Sequence, residues 1–385
     1  MMGSTHAMGC RFGVLSGLGE VLGRMMMGNS QTRNDGMGDP PRVTILGIGQ
    51  MGLVCAAALT IPDEHGAGAA PRARVTMWGH DEDERGALSQ TRKSDRLPGF
   101  KLPDSVRIAL NDGDALRDAD VIVCAIPVQF IRGAWERLKD HVPPTANVIS
   151  VAKGIENGTL MRPTQIIADV LGDDPDGKPR ALGCMSGPAI ATELAQCKPA
   201  TMAAASDHPG FAEQIQTLFS TSWLRIYTNP DLLGVELAGA TKNVIAIAAG
   251  IIDGLGAGFN AKSALLARGL AEIGRLGSAM GAQTQTFFGI AGVGDLATTC
   301  FSPEGRNRSC GEALGKGVKL DAYLRDAMCV VEGVATTESV VDLAKKYRVD
   351  MPITDAVHAV LFEHLDPVDA IAMLMSRELR EEQIG

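Results

Sequence analysis

Val43-Thr44-Ile45-Leu46-Gly47-Ile48-Gly49-Gln50-Met51-Gly52 is the stretch that decides the fold. A short β-branched run enters G-x-G-x-x-G, and an alanine-rich segment, Val54 to Leu59, follows it. A lone glycine fingerprint is weak. Placed between an apolar strand and the opening of a helix, it has the context that dinucleotide binding requires. Gly47 permits the tight turn. Gly49 lets backbone N–H groups approach a pyrophosphate at the positive end of the helix, and Gly52 lets the helix pack on the strand. The bland alternative is a tight strand–helix turn with no ligand.

Outward from this turn, short apolar runs alternate with helical stretches. They are 43–48, 74–78, 106–110, 120–126, 147–152, 181–186, 201–206 and 224–228. Continuous apolar strands between helices predict a parallel sheet covered on both faces. After Asn229-Pro230 the texture becomes helical, with no strong strand. The expected fold class is therefore α/β: an N-terminal Rossmann-type doubly wound sheet over residues 41–229, then an all-helical C-terminal domain over 230–385. Residues 1–40, rich in Met and Gly, read as a disordered extension or as translation begun upstream of the true start.

Composition narrows the function classes. The chain has 385 residues and a net charge of 36 − 45 = −9, with 4% aromatics. An acidic, aromatic-poor protein is a poor binder of nucleic-acid backbone or stacked bases. The eight cysteines form no C-x-x-C pair, so reduced thiols in a cytoplasmic protein are expected, with neither disulfide frame nor metal site. No stretch is expected to span a membrane. The most apolar one, 235–252, is interrupted by Glu236, Lys242 and Asn243.

The second strand ends in Trp78-Gly79-His80-Asp81. An acid at that tip would suit an unphosphorylated ribose. His80 instead leans towards NADP or use of both cofactors, although an exposed His in a charged loop reads nearly as well. Lys242 lies in a nearly uncharged helix with apolar neighbours on its own face. It either snorkels or is buried for chemistry, and burial would lower its pKa into the range of a general acid. Lys153 follows a strand at the carboxyl edge of the sheet, where ligands bind, or it merely ends that strand. Asp295 could orient an ammonium group, or cap the next helix. Arg306-Asn307, in a Gly/Pro/Ser loop, suits a phosphate, or is a solvated basic turn.

Several segments stand out together: Ala125-Ile126-Pro127-Val128-Gln129, Ala152-Lys153-Gly154-Ile155-Glu156, Ser186-Gly187-Pro188-Ala189, Leu237 to Val244, Gly292-Val293-Gly294-Asp295-Leu296, Gly305-Arg306-Asn307-Arg308 and Val331-Glu332-Gly333. With the 78–81 and 351–354 segments, their order and spacing resemble bacterial-type NAD(P)-dependent glycerol-3-phosphate dehydrogenase from about residue 42 to near the C-terminus. The resemblance implies reversible reduction of dihydroxyacetone phosphate to sn-glycerol 3-phosphate, supplying glycerophospholipid synthesis, by a cytoplasmic homodimer using NAD(P)H and no metal. It implies that Lys242 is the proton donor/acceptor and that Lys153 touches both substrate and cofactor. Asn243, Asp295, Thr299, Gly305, Arg306 and Asn307 would meet the substrate, with Gly187 contributing backbone. Gln50, Met51, His80, Ala191, Arg306, Val330 and Glu332 would line the dinucleotide site beside the glycines.

Two departures from the family pattern stand out. Ala189 replaces a usual hydroxyl after the Gly-Pro pair, and Gly305 replaces one before Arg306-Asn307. Both changes predict weaker substrate binding. Two other readings remain: a β-hydroxyacid dehydrogenase with a similar glycine turn and catalytic lysine, and a non-catalytic dinucleotide sensor. The 78–81 strand tip and the 305–308 loop argue against the first. The Lys153, Lys242 and Asp295 set argues against the second.

Overall fold

The computed structural model describes residues 39–61, 71–172, 180–327, 329–379 and 381. The extension expected before residue 41 lies almost wholly outside them. All eight apolar runs form strands of one sheet: β1 (Arg42–Leu46), β2 (Arg74–Trp78), β3 (Arg107–Ile108), β4 (Val121–Cys124), β5 (Asn147–Ser150), β6 (Leu182–Ser186), β7 (Ala200–Ser206) and β8 (Leu224–Asn229). Their order is β3-β2-β1-β4-β5-β6-β7-β8. The chain runs outward from β1 to β2 and β3, then returns to lay β4 on the other side of β1. The carboxyl ends of β1 and β4 therefore border the crevice where such sheets take ligands.

The parallel expectation needs one correction. β6 and β7 pair antiparallel, with Gly183 opposite Ser206, and β8 then follows β7 in parallel. The connection from β6 to β7 contains a helix of only five residues, Ala191–Ala195. That is about 7.5 Å of helix, too short to carry the chain back along a strand of about 16 Å. Reversal is the outcome.

Helices cover both faces of the sheet. On one, Leu53, Val54 and Leu59 pack with Val43 and Ile45. On the other, Ile131, Trp135 and Ile166 pack with Leu46, Ile122 and Cys124. All the described cysteines but Cys329 are buried; Cys10 lies outside the described residues.

The helical half is built around one helix, Leu232–Gly254, buried continuously from Gly234 to Ile252. It is hydrophobic on every side, which marks a central helix. The charges expected to interrupt this stretch lie within one continuous helix. Its 23 residues are long and apolar enough to cross a membrane, and Glu236, Lys242 and Asn243 do not break it. In this structure it is wrapped by the helices Gly258–Met280, Asp295–Phe301, Arg306–Gly315 and Glu332–Tyr347. Residues Leu232, Val235 and Ala291 also share a core with Cys184, Ala203 and Ala205 of the sheet.

Two glycines, one on each helix, let the helix Arg306–Gly315 lie directly on this axis. A Cβ on Gly311 would sit 2.0 Å from the Ile247 carbonyl oxygen, and one on Gly250 would sit 2.0 Å from that of Arg308. Backbone meets backbone there, so no side chain can yield. Gly311→Ala is expected to lower stability by about 2 kcal/mol, measured as a reduced denaturant midpoint.

Glu272 pins another helix. Its carboxylate accepts from the Ile353 and Thr354 amides at the start of the helix Pro352–Phe362. Burial pushes its carboxyl up from 4.5 to about 7. A carboxyl raised on folding adds stability that is full below pH 4.5 and lost as pH rises through about 7. Glu272→Gln is expected to flatten the fall in unfolding free energy over that window.

Candidate active site

Three charged side chains from separate elements meet at the carboxyl edge of the sheet. Lys153 follows β5, Lys242 lies midway along the Leu232–Gly254 helix, and Asp295 begins the helix Asp295–Phe301 directly after the π-helical turn Ile290–Gly294. Asp295 Oδ1 accepts from Lys242 Nζ at 2.5 Å, and Oδ2 accepts from Lys153 Nζ at 2.5 Å. Lys242 also donates to the Thr299 hydroxyl, and Lys153 to the Gly187 carbonyl at 3.1 Å. Asp295 is 1% exposed and Lys242 6%. One buried carboxylate thus serves two ammonium groups, that of Lys242 buried and that of Lys153 half-buried.

Glycines make this meeting possible. A Cβ on Gly239 would lie 2.8 Å from Ser186 Oγ and 3.5 Å from the Lys153 stem. Gly187, at φ +146°, passes so near β7 that a Cβ would fall 3.0 Å from Met202 Cα. A side chain at position 239 would displace Ser186 Oγ, and one at 187 would strain the backbone whose carbonyl Lys153 bonds.

The environment sets Lys242 apart as a proton carrier. Burial pulls its ammonium down from 10.5 to about 8; the attraction of Asp295 opposes that shift and the like charge of Lys153 adds to it. A base poised near neutrality can give and take a proton in one catalytic cycle. Beside it, Asn243 is 3% exposed and its Nδ2 has no hydrogen-bond partner among the described residues. A buried orphan donor of this kind is a strong pointer to a missing acceptor.

A cleft of about 660 Å³ joins this trio to the glycine turn. Gly47, Gly49, Gln50, Met51, His80, Lys153, Ala191, Lys242, Asn243, Asp295, Thr299, Gly305, Arg306, Asn307, Val330 and Glu332 all line it. Gly52 and Gly187 lie behind the wall and shape it. A Cβ on Gly52 would sit 2.0 Å from the Gly47 carbonyl oxygen, while one on Gly49 would meet nothing within 4 Å. The helix Gln50–Thr60 begins at Gly49 with no side-chain cap. Its first N–H groups and the open space above them suit a pyrophosphate. A dinucleotide therefore fits the residues present. No group of three or more His, Cys, Asp or Glu that could hold a metal occurs among the described residues.

Arg306 and Asn307 occupy the first turn of the helix Arg306–Gly315 and not, as expected, a loop. Gly305 precedes them and offers no side-chain cap, so a second uncapped helix end faces the cleft. Asn307 Oδ1 accepts from the Gly333 amide at 2.9 Å, and Arg306 Nη1 reaches the Val330 carbonyl at 3.3 Å. These bonds tie the turn to the start of the Glu332–Tyr347 helix. Burial pushes the Glu332 carboxyl up, opposed chiefly by Arg306.

Sequence reasoning missed several wall residues. Thr192 donates to Glu304 across the cleft mouth, and Arg96 and Glu84 stand near the His80 end. Only their place in the fold reveals them. His80 itself is exposed, with Arg137 Nη1 at 3.4 Å from its Nδ1.

Comparison with known proteins agrees with this geometry. Residues 42–212 match the family model for the N-terminus of NAD-dependent glycerol-3-phosphate dehydrogenase, and residues 231–372 match that for its C-terminus. The chain belongs to this family. A glycerol-3-phosphate dehydrogenase [NAD(P)+] of Bacillus pumilus is 42% identical over 87% of this chain and 94% of its own. One from Prosthecochloris aestuarii is 43% identical over 88% of this chain and 99% of its own. The crystal structure of the Coxiella burnetii glycerol-3-phosphate dehydrogenase superposes with a TM-score of 0.80 at 32% identity, covering 88% of this chain and 99% of that one. The dehydrogenase family thus accounts for both the sheet and the helical half.

Proposed function

We propose that this chain reversibly reduces dihydroxyacetone phosphate to sn-glycerol 3-phosphate with NAD(P)H. The observation that carries this reading is the buried Lys242–Asp295–Lys153 trio at one end of a cleft whose other end is the glycine turn. In this reading residues 41–229 hold the cofactor and residues 230–385 supply the acid and the phosphate-binding turn.

When bound, the reduced nicotinamide supplies the hydride that C2 of the ketone accepts. Lys242 gives its proton to the C2 oxygen as the carbonyl π electrons collect there, leaving a neutral amine and a secondary alcohol. The Lys153 ammonium stabilises the charge that develops on that oxygen. Asp295 holds both lysines in place and does not itself exchange a proton. Asn243 Nδ2 donates to a substrate oxygen. Arg306, with the open helix end behind it, clamps the phosphate, so that remote binding energy orients C2. Reprotonation of Lys242 from solvent resets the site.

The pKa of Lys242 predicts opposite pH dependences in the two directions. Ketone reduction needs the ammonium and is expected to fall as pH rises through about 8, whereas alcohol oxidation needs the amine and is expected to rise through the same value. Initial rates in both directions from pH 6 to 10 check this. Parallel or flat profiles would remove Lys242 from the proton step.

The primary test is oxidation of NADH and of NADPH by folded protein with dihydroxyacetone phosphate. Turnover with either cofactor supports the assignment. Cofactor binding without turnover on any phosphorylated ketone would overturn it in favour of a sensor. We further propose a cytoplasmic setting, supported by the packing of the long apolar helix inside the protein, and a homodimer, which light scattering tests.

A further inference from the structure

At the cofactor end of the cleft stands an ion pair that the proposed reaction does not use. Arg96 Nε donates to Glu84 Oε1 at 2.5 Å, and Arg96 Nη2 donates to Oε2 at 3.1 Å. Both residues line the cleft beside His80 and Asp81. A guanidinium carries five N–H donors and this pair takes two, leaving an edge of three. Among the described residues, Nη1 has no protein partner.

Both partners are held in place. Gln50 Nε2, in the first turn of the Gln50–Thr60 helix, donates to the Arg96 carbonyl at 2.8 Å. The neighbouring Leu97 is 1% exposed and anchors the loop in the core. Glu84 lies in the first turn of the helix Glu82–Thr91, its amide donating to Asp81 Oδ1 at 2.7 Å. The free guanidinium edge therefore has a defined position at the tip of β2. In a doubly wound sheet this tip faces the adenosine ribose.

We propose that Arg96 and Glu84 together read the ribose 2′ position and make the chain accept both cofactors. The inference rests on the dinucleotide reading of the cleft. Arg96 turns its free edge to a 2′-phosphate, where a planar fork matches the anion. Glu84 accepts a hydrogen bond from a 2′-hydroxyl. Each charge restrains the other: the carboxylate repels the phosphate that the guanidinium attracts, so neither cofactor is excluded. His80, at the strand tip, is a further donor on the phosphate side.

Calorimetric titration with adenosine 2′,5′-bisphosphate and with ADP reads this directly, without turnover. Arg96→Gln is expected to weaken the bisphosphate about tenfold while leaving ADP unchanged. Glu84→Gln is expected to tighten the bisphosphate and weaken ADP, each by about threefold. An unchanged ratio of the two affinities in both variants would overturn the proposal. Equal loss of both ligands in Arg96→Gln would do so too, by making Arg96 a support for its loop. If the wild-type chain binds neither probe, the dinucleotide reading itself falls, and this inference falls with it.

Discussion

Replacement of Lys242 by methionine is expected to lower kcat about a thousandfold, with the affinity for reduced cofactor unchanged. Methionine keeps most of the apolar stem that fills the core of the Leu232–Gly254 helix, so the variant should fold. It removes the only proton carrier in the site whose pKa is drawn to about 8. The glycine turn and the helix end at Gly49 are untouched, and these are the features that suit a pyrophosphate. Asp295 keeps Lys153 as its partner at 2.5 Å, so no carboxylate is left buried alone. The loss should therefore fall on kcat, with a smaller effect on KM. Lys242→Arg sharpens the test. Arginine retains the positive charge but does not release a proton at any working pH. If charge alone matters, arginine rescues the rate. If proton transfer matters, it does not. Near-normal turnover in the methionine variant would end the assignment.

Local features of the site were legible in the sequence, and long-range ones were not. The glycine turn is local: six consecutive residues carry its conformational demands, so strand, turn and helix follow in order. All eight strands could be read for the same reason, from short apolar runs. The direction of β7 could not, because it depends on how far the Ala191–Ala195 helix can travel. Lys153, Lys242 and Asp295 could each be singled out by their neighbours. That one carboxylate takes both ammonium groups could not, because the bonded pairs are 142 and 53 residues apart. Arg306 and Asn307 looked like loop residues because Gly, Pro and Ser precede them. Those residues end one helix and open the next, and the turn that follows is helical. Arg96 and Glu84 carried no signal at all in a run of exposed charges. Folding made them neighbours at the cofactor end.

Asp295→Asn is expected to cost about 3 kcal/mol of stability and to shift the pH dependence of the residual activity. Asp295 opposes the loss of charge on Lys242, which burial, the largest effect, and the like charge of Lys153 promote. An asparagine oxygen can still accept one hydrogen bond, but its amide group would point N–H donors at the other ammonium. Lys242, buried, and Lys153, half-buried, would then face each other without the carboxylate that lay between them. The cheaper state is one in which Lys242 gives up its proton, so its pKa should fall below about 8. The reduction limb of the pH–rate profile should move to lower pH with it. Stability should follow in a definite direction. A lysine whose folded pKa lies below its unfolded value opposes folding fully at low pH, and that penalty fades as pH rises through the window between the two values. The stability deficit of Asp295→Asn relative to the wild type should therefore be larger at pH 6.5 than at pH 9.5. Urea unfolding at the two pH values, beside pH–rate profiles of the same variant, measures both effects. A deficit independent of pH, together with an unmoved reduction limb, would show that Asp295 only fills space between the helices. The expected result would show that it sets the proton affinity of the lysine that does the chemistry.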